Sequence, residues 1–80
     1  MKLPRDISGD ELAKRLGVFG YVHTRQAGSH MRLTTQRQGQ HHITIPRHDP
    51  LKIGTLSGVL MEVAVHLKMT KDELVETLFD

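Results

Sequence analysis

At 80 residues, 38% of them hydrophobic and 25% charged, the chain can build one modest core, and a single domain over residues 1–80 is expected. The absence of cysteine excludes disulfides and thiolate zinc sites. No run approaches the roughly 18 apolar residues of a membrane span, and the opening MKLPRDISGDEL has no apolar signal region, so a cytoplasmic, unprocessed protein of net charge +2 is expected.

The elements are predicted in chain order. Ser8 with Glu11 three residues on forms a capping box, and Ile7 with Leu12 the hydrophobic staple of a first helix. Leu12 and Leu16 continue its buried stripe, and Gly17 is its expected stop. Three short strands follow: residues 20–25, then His30–Thr35 after the turn Ala27-Gly28-Ser29, then His41–Pro46 after the polar loop Gln36–Gln40. Short links favour an antiparallel meander. Alternation puts Met31, Leu33, Ile43 and Ile45 on one face, and His30, Arg32, Thr34, His42 and Thr44 on the other. Beyond Asp49-Pro50, Thr55 is the expected cap of an amphipathic helix whose stripe is Leu56, Val59, Leu60, Val63, Ala64 and Leu67. A second capping box, Thr70 with Glu73, opens a short last helix that buries Leu74, Leu78 and Phe79. The sum is an α+β fold: a two-layer αβββα domain with one further helix, its helices covering the apolar sheet face and leaving the polar face wet.

Charge is unevenly spread along this layout. Residues 22–55 carry Arg25, Arg32, Arg37, Arg47 and Lys52 against Asp49 alone, with five of the six histidines, whereas the last 25 residues carry two lysines against five acids. Such a basic middle suits a polyanion, and an ordinary mixed surface would show the same composition. Neither G-x-G-x-x-G nor G-x-x-x-x-G-K-[ST] occurs, which argues against nucleotide-dependent chemistry. The run HHITIPRH invites a metal reading, but His41 and His42 are neighbours on a strand and point to opposite faces, with no H-E-x-x-H spacing and no carboxylate cluster beside them. No metal and no small-molecule cofactor are therefore expected.

His30 has a different setting. It heads a strand directly after Gly28-Ser29, with Arg25 and Arg32 in reach. An imidazole titrates near neutrality and can take the proton of an RNA 2′-hydroxyl, so that the oxygen attacks the adjacent phosphorus while arginines hold the phosphate. A turn-capping surface histidine is the other reading of the same residues.

The pattern Ser8-Gly9, Gly20-Tyr21, Arg25-Gln26, Gly28-Ser29-His30, His41-His42 with Thr44, Pro46 and His48, then Leu51, Gly54-Thr55-Leu56 and Leu60 resembles the HicA toxin family over residues 1–60. The resemblance implies a fold similar to double-stranded-RNA-binding domains, cleavage of messenger RNA, and neutralisation by a HicB-type antitoxin protein. It implies that the functional histidine of the family's Gly-Ser-His motif is His30 here. Arg25, Ser29, Arg32, His42 and Arg47 are the expected RNA-binding residues, and His42, His48 or water the candidates for protonating the leaving 5′-oxygen. A non-catalytic RNA-binding module on the same fold is the chief alternative, and a protein-interaction domain a further one.

Overall fold

The computed structural model describes residues 3–79. They form α1 (Gly9–Leu16), a 3₁₀ turn (Gly17–Phe19), β1 (Val22–Ala27), β2 (His30–Thr35), β3 (His41–Pro46), α2 (Ile53–Leu67) and α3 (Lys71–Phe79). The strands make one antiparallel sheet in the order β1-β2-β3, so the architecture is the expected α+β meander flanked by helices.

Ser8 caps α1: its Oγ accepts the Glu11 N–H at 3.0 Å. Only half of the box forms, because the Glu11 carboxylate turns to Arg15 at 2.9 Å, one helical turn on. The α-helix ends at Leu16 with Gly17 as its C-cap, as expected, but the Gly17 backbone stays right-handed, and the chain tightens into a 3₁₀ turn that buries Phe19 before Gly20, at φ +83, reverses it. That extra turn delays β1, which starts at Val22 after the buried Tyr21 and runs to Ala27.

Gly9 has a steric reason to be glycine. Its N–H donates to the His48 carbonyl at 2.9 Å, and a Cβ there would lie 2.0 Å from the Pro46 carbonyl oxygen. The start of α1 is thus pressed against the exit of β3, closer than any side chain allows.

Met31, Leu33, Ile43 and Ile45 are buried as alternation requires, and α2 covers them with all six residues of its expected stripe. Its start differs from expectation: Lys52 is the cap residue, without a side-chain bond, and Thr55 lies inside the first turn. Apolar residues also continue round the helix, so Met61 and Val65 remain exposed. The second capping box forms completely. The Thr70 N–H donates to Glu73 Oε1 at 2.8 Å, and the Glu73 N–H to Thr70 Oγ1 at 3.1 Å. Hydrogen bonding from the Thr70 backbone N–H, and then from the Thr70 side chain, holds the Glu73 carboxyl below its usual range. α3 buries Val75 with Leu74 and Leu78, and Phe79 is half-buried. Its end is tied back to α1, since Arg15 donates to the Leu78 carbonyl at 2.7 Å and lies over the Phe79 ring. Buried side chains of all three helices and of β2 and β3 join one apolar cluster. No helix among the described residues is long and apolar enough to cross a membrane.

Candidate nucleic-acid interface

The polar face of the sheet is built by register. His30 pairs with Ala27 on one side and Pro46 on the other, Arg32 with Arg25 and Thr44, and Thr34 with Val22 and His42. Residues two apart on a strand share a face, so His30, Arg32 and Thr34 stand in line along the central strand. None of the three strands contains an acidic residue, and residues 12–48 hold no aspartate or glutamate at all. This uninterrupted acid-free stretch is a sequence signal that a charge count over 22–55 passes by.

His30 emerges exposed from a two-residue turn in which Gly28 takes φ +58, the positive angle that such hairpin turns require. The turn is held on both sides. Gln26 donates from Nε2 to the Gly28 carbonyl at 2.8 Å, and the Arg47 N–H donates to the Ser29 carbonyl at 2.6 Å. Ser29 therefore positions the loop through its backbone, and the imidazole projects from a fixed strand end.

The arginines divide by their partners. Arg15 is bound to Glu11 and the α3 terminus. Arg37 donates to the Val18 carbonyl at 3.4 Å and lies over the Phe19 ring. Arg47 makes a two-pronged pair with Asp10, 2.9 and 3.1 Å, which raises its pKa further and fastens the exit of β3 to α1. Arg25 and Arg32 differ: they face each other in register, and among the described residues neither guanidinium meets a carboxylate. Two like charges abreast cost stability, so this pair stands at the centre of the polar face without local neutralisation.

At Thr24 the β1–β2 register shifts. The bulge sets two β1 residues, Thr24 and Arg25, against Arg32, and bends the strand. Beside it opens a depression of about 340 Å³, lined by Thr24, Thr34, the Arg25–Arg32 pair and His42, with Gln36 and Gln40 from the two ends of the β2–β3 loop. Thr24, Thr34, Gln36 and Gln40 are not among the RNA-binding residues expected from the sequence. Strand parity gives no sign of a bulge, and the meeting of the loop ends is a tertiary fact.

A chain of hydroxyls fixes His42 in this depression. Thr24 Oγ1 lies 3.2 Å from the Arg32 carbonyl and 2.9 Å from Thr34 Oγ1, which lies 2.7 Å from His42 Nδ1. A carbonyl only accepts. All three contacts are satisfied together only if Thr24 donates to it, Thr34 to Thr24, and His42 Nδ1 to Thr34. That assignment leaves Nε2 as the ring atom available to a ligand.

Alternation sets His30 and His42 on one face, where they could be neighbours, but the register separates them. His42 stands opposite Thr34, four residues along β2 from His30, a strand distance of about 13 Å. Arg32 lies between them. His48 follows two residues after Pro46, the cross-strand partner of His30.

His41 and His66 serve the other face, and His23, exposed on β1, bonds from Nε2 to the Arg25 carbonyl at 2.9 Å. His41 stacks on His66 with ring centroids 4.2 Å apart, and its Nδ1 lies 2.8 Å from the Tyr21 hydroxyl. Burial, then the nearby Glu62 carboxylate, pushes Tyr21 up to about 12. Burial, then His66, pushes His41 below its ordinary range. Both shifts favour the uncharged forms, so Tyr21 and His41 share a neutral hydrogen bond. His66 Nε2 donates to the Arg37 and Gly39 carbonyls at 2.8 and 3.1 Å, clasping the β2–β3 loop. His41 and His42 lie on opposite faces, as strand geometry demands.

No curated relative and no solved structure matches the chain at a significant level. A family model does: the one described as the HicA toxin of bacterial toxin-antitoxin matches residues 9–65, a span that contains α1, the whole sheet, the Gly28-Ser29-His30 turn and most of α2. With well over half of its length matched, the chain belongs to the HicA toxin family.

Proposed function

We propose that the protein is a toxin endoribonuclease, an mRNA interferase, neutralised by a HicB-type antitoxin. One observation carries this reading: an exposed histidine at a held strand end stands two residues from a pair of arginines that no carboxylate neutralises, on a sheet face without a single acid. Family membership supports the toxin role and the antitoxin partner.

In the proposed reaction the His30 imidazole takes the 2′-hydroxyl proton. The 2′-oxygen then bonds to the adjacent phosphorus, and the bond from phosphorus to the 5′-oxygen breaks. Arg32 and Arg25 bind the phosphate oxygens and stabilise the charge that grows on them. The products are a 2′,3′-cyclic phosphate and a 5′-hydroxyl, the leaving oxygen taking its proton from water or from His48. His42 lies too far along the sheet to share one phosphodiester with His30. Ser29 serves by positioning the turn, and Arg47, engaged with Asp10, adds RNA affinity only where that surface pair opens.

The test is His30→Ala. Purified protein incubated with RNA in chelator should yield shortened products with cyclic phosphate ends, and the folded variant should yield none and cause no growth arrest. Undiminished cleavage by that variant refutes the assignment, and shifted but intact RNA from the parent protein would favour a non-catalytic RNA-binding module.

A further inference from the structure

We infer that the depression beside the Thr24 bulge is a nucleotide-recognition subsite that reads the base next to the scissile phosphate. The inference rests on the ribonuclease reading for its place along the RNA, but not for the binding that it predicts. A strand of RNA laid along β2 from His30 passes the Arg25–Arg32 pair and then reaches the depression. The phosphate chemistry thus ends where the groups suited to a base begin.

Those groups are of one kind. Gln36 and Gln40, whose side chains each carry a carbonyl and an amide, line the same depression as His42, so the residue types gathered there supply the donors and acceptors that a base edge requires. The hydroxyl chain from Thr24 through Thr34 holds the His42 ring by its other nitrogen, and Thr34 is 7% exposed, so the recognition atom is supported from the buried side. The loop that carries both glutamines is clasped by His66. The flat guanidinium of Arg32 adds a surface on which a base can stack. A volume of about 340 Å³ lies in the range that holds a small heterocycle. The lining carries no carboxylate, which suits a ligand joined to phosphates.

The experiment uses the full chain carrying His30→Ala, so that RNA stays intact, and measures affinity for labelled octamers of adenylate, cytidylate and uridylate. The comparison is the same protein with Gln36→Ala and Gln40→Ala added. Both glutamines are exposed, and circular dichroism checks the fold. A third protein, with Thr34→Val added in their place, keeps the glutamines and frees His42. The parent should discriminate its best from its worst octamer by about tenfold, the worth of one or two well-made hydrogen bonds. That ratio should fall by about threefold or more in both variants. A ratio that stays within about threefold of the parent in the double-glutamine variant overturns the subsite, as does a parent that does not discriminate. Failure of the ribonuclease reading looks different: base-selective binding persists, but the native His30 protein cleaves nothing.

Discussion

Arg25 and Arg32 stand directly opposite each other in the β1–β2 register, and no carboxylate among the described residues lies against either. A fold has no use for such a pair. Replacing Arg25 by Ala should therefore leave thermal stability intact or raise it, by up to about 0.5 kcal/mol, while RNA affinity falls. Each arginine removed should also flatten the dependence of log affinity on log salt by about 0.7. Titrations of His30→Ala protein with RNA across a salt series give the slope. An unchanged slope would move the phosphate contact elsewhere.

His41 makes the fold sensitive to acid. Its folded pKa lies below the ordinary 6.5, through burial and the facing His66, with Glu62 opposing and His42 adding to the shift. As pH falls, the unfolded chain therefore takes up this proton first. Stability should be full above about pH 6.5 and decline below it through the folded value. His41→Phe keeps an aromatic ring against His66 and removes the titration, so the difference in Tm between about pH 7.5 and pH 5.5 should shrink. Equal differences in variant and parent would place the acid sensitivity in another group.

Much of this is written plainly in the chain. β2 and β3 lie where alternation between two turns sets them, and the α2 stripe is buried residue for residue. The reciprocal Thr70–Glu73 box is a local device that three-residue spacing reveals. What escapes is either non-local or a competition between local signals. Gly20 reads as the start of a strand, yet burial of Phe19 draws the chain into a 3₁₀ turn that Gly20 ends. Arg47 and Arg32 have the same side chain and similar surroundings in sequence. Only the packing of α1 against the end of β3 brings Asp10 to Arg47 and leaves Arg32 bare. The bulge at Thr24 leaves no trace in a six-residue polar strand, and with it the depression and its glutamines stay hidden.

Gly9 has its own test. Ala is the better helix former, so Gly9→Ala would strengthen an isolated α1. In the protein the new methyl meets backbone at Pro46 and Arg47, neither of which can yield without moving β3. Loss of about 3 kcal/mol is expected in chemical denaturation. The damage should also reach the His30 turn, because the Arg47 N–H holds the Ser29 carbonyl. A neutral or stabilising outcome would mean that α1 sits farther from the sheet.

Thr35 links the core to the rim of the depression. Its side chain is 1% exposed, donates to the Phe19 carbonyl at 2.8 Å and accepts the Arg37 N–H at 3.1 Å. Val has nearly the same shape and neither bond, so Thr35→Val strands a buried carbonyl and frees the first turn of the β2–β3 loop. Stability should drop by about 2 kcal/mol. Amide exchange should quicken at residues 36–40 before it does in β2, since His66 and the Arg37 side chain then hold the loop without its first backbone bond. Base discrimination should weaken with it while salt-dependent RNA affinity, carried by Arg25 and Arg32, persists. Parallel loss of both would show that the loop and the arginine pair form one recognition unit and not two.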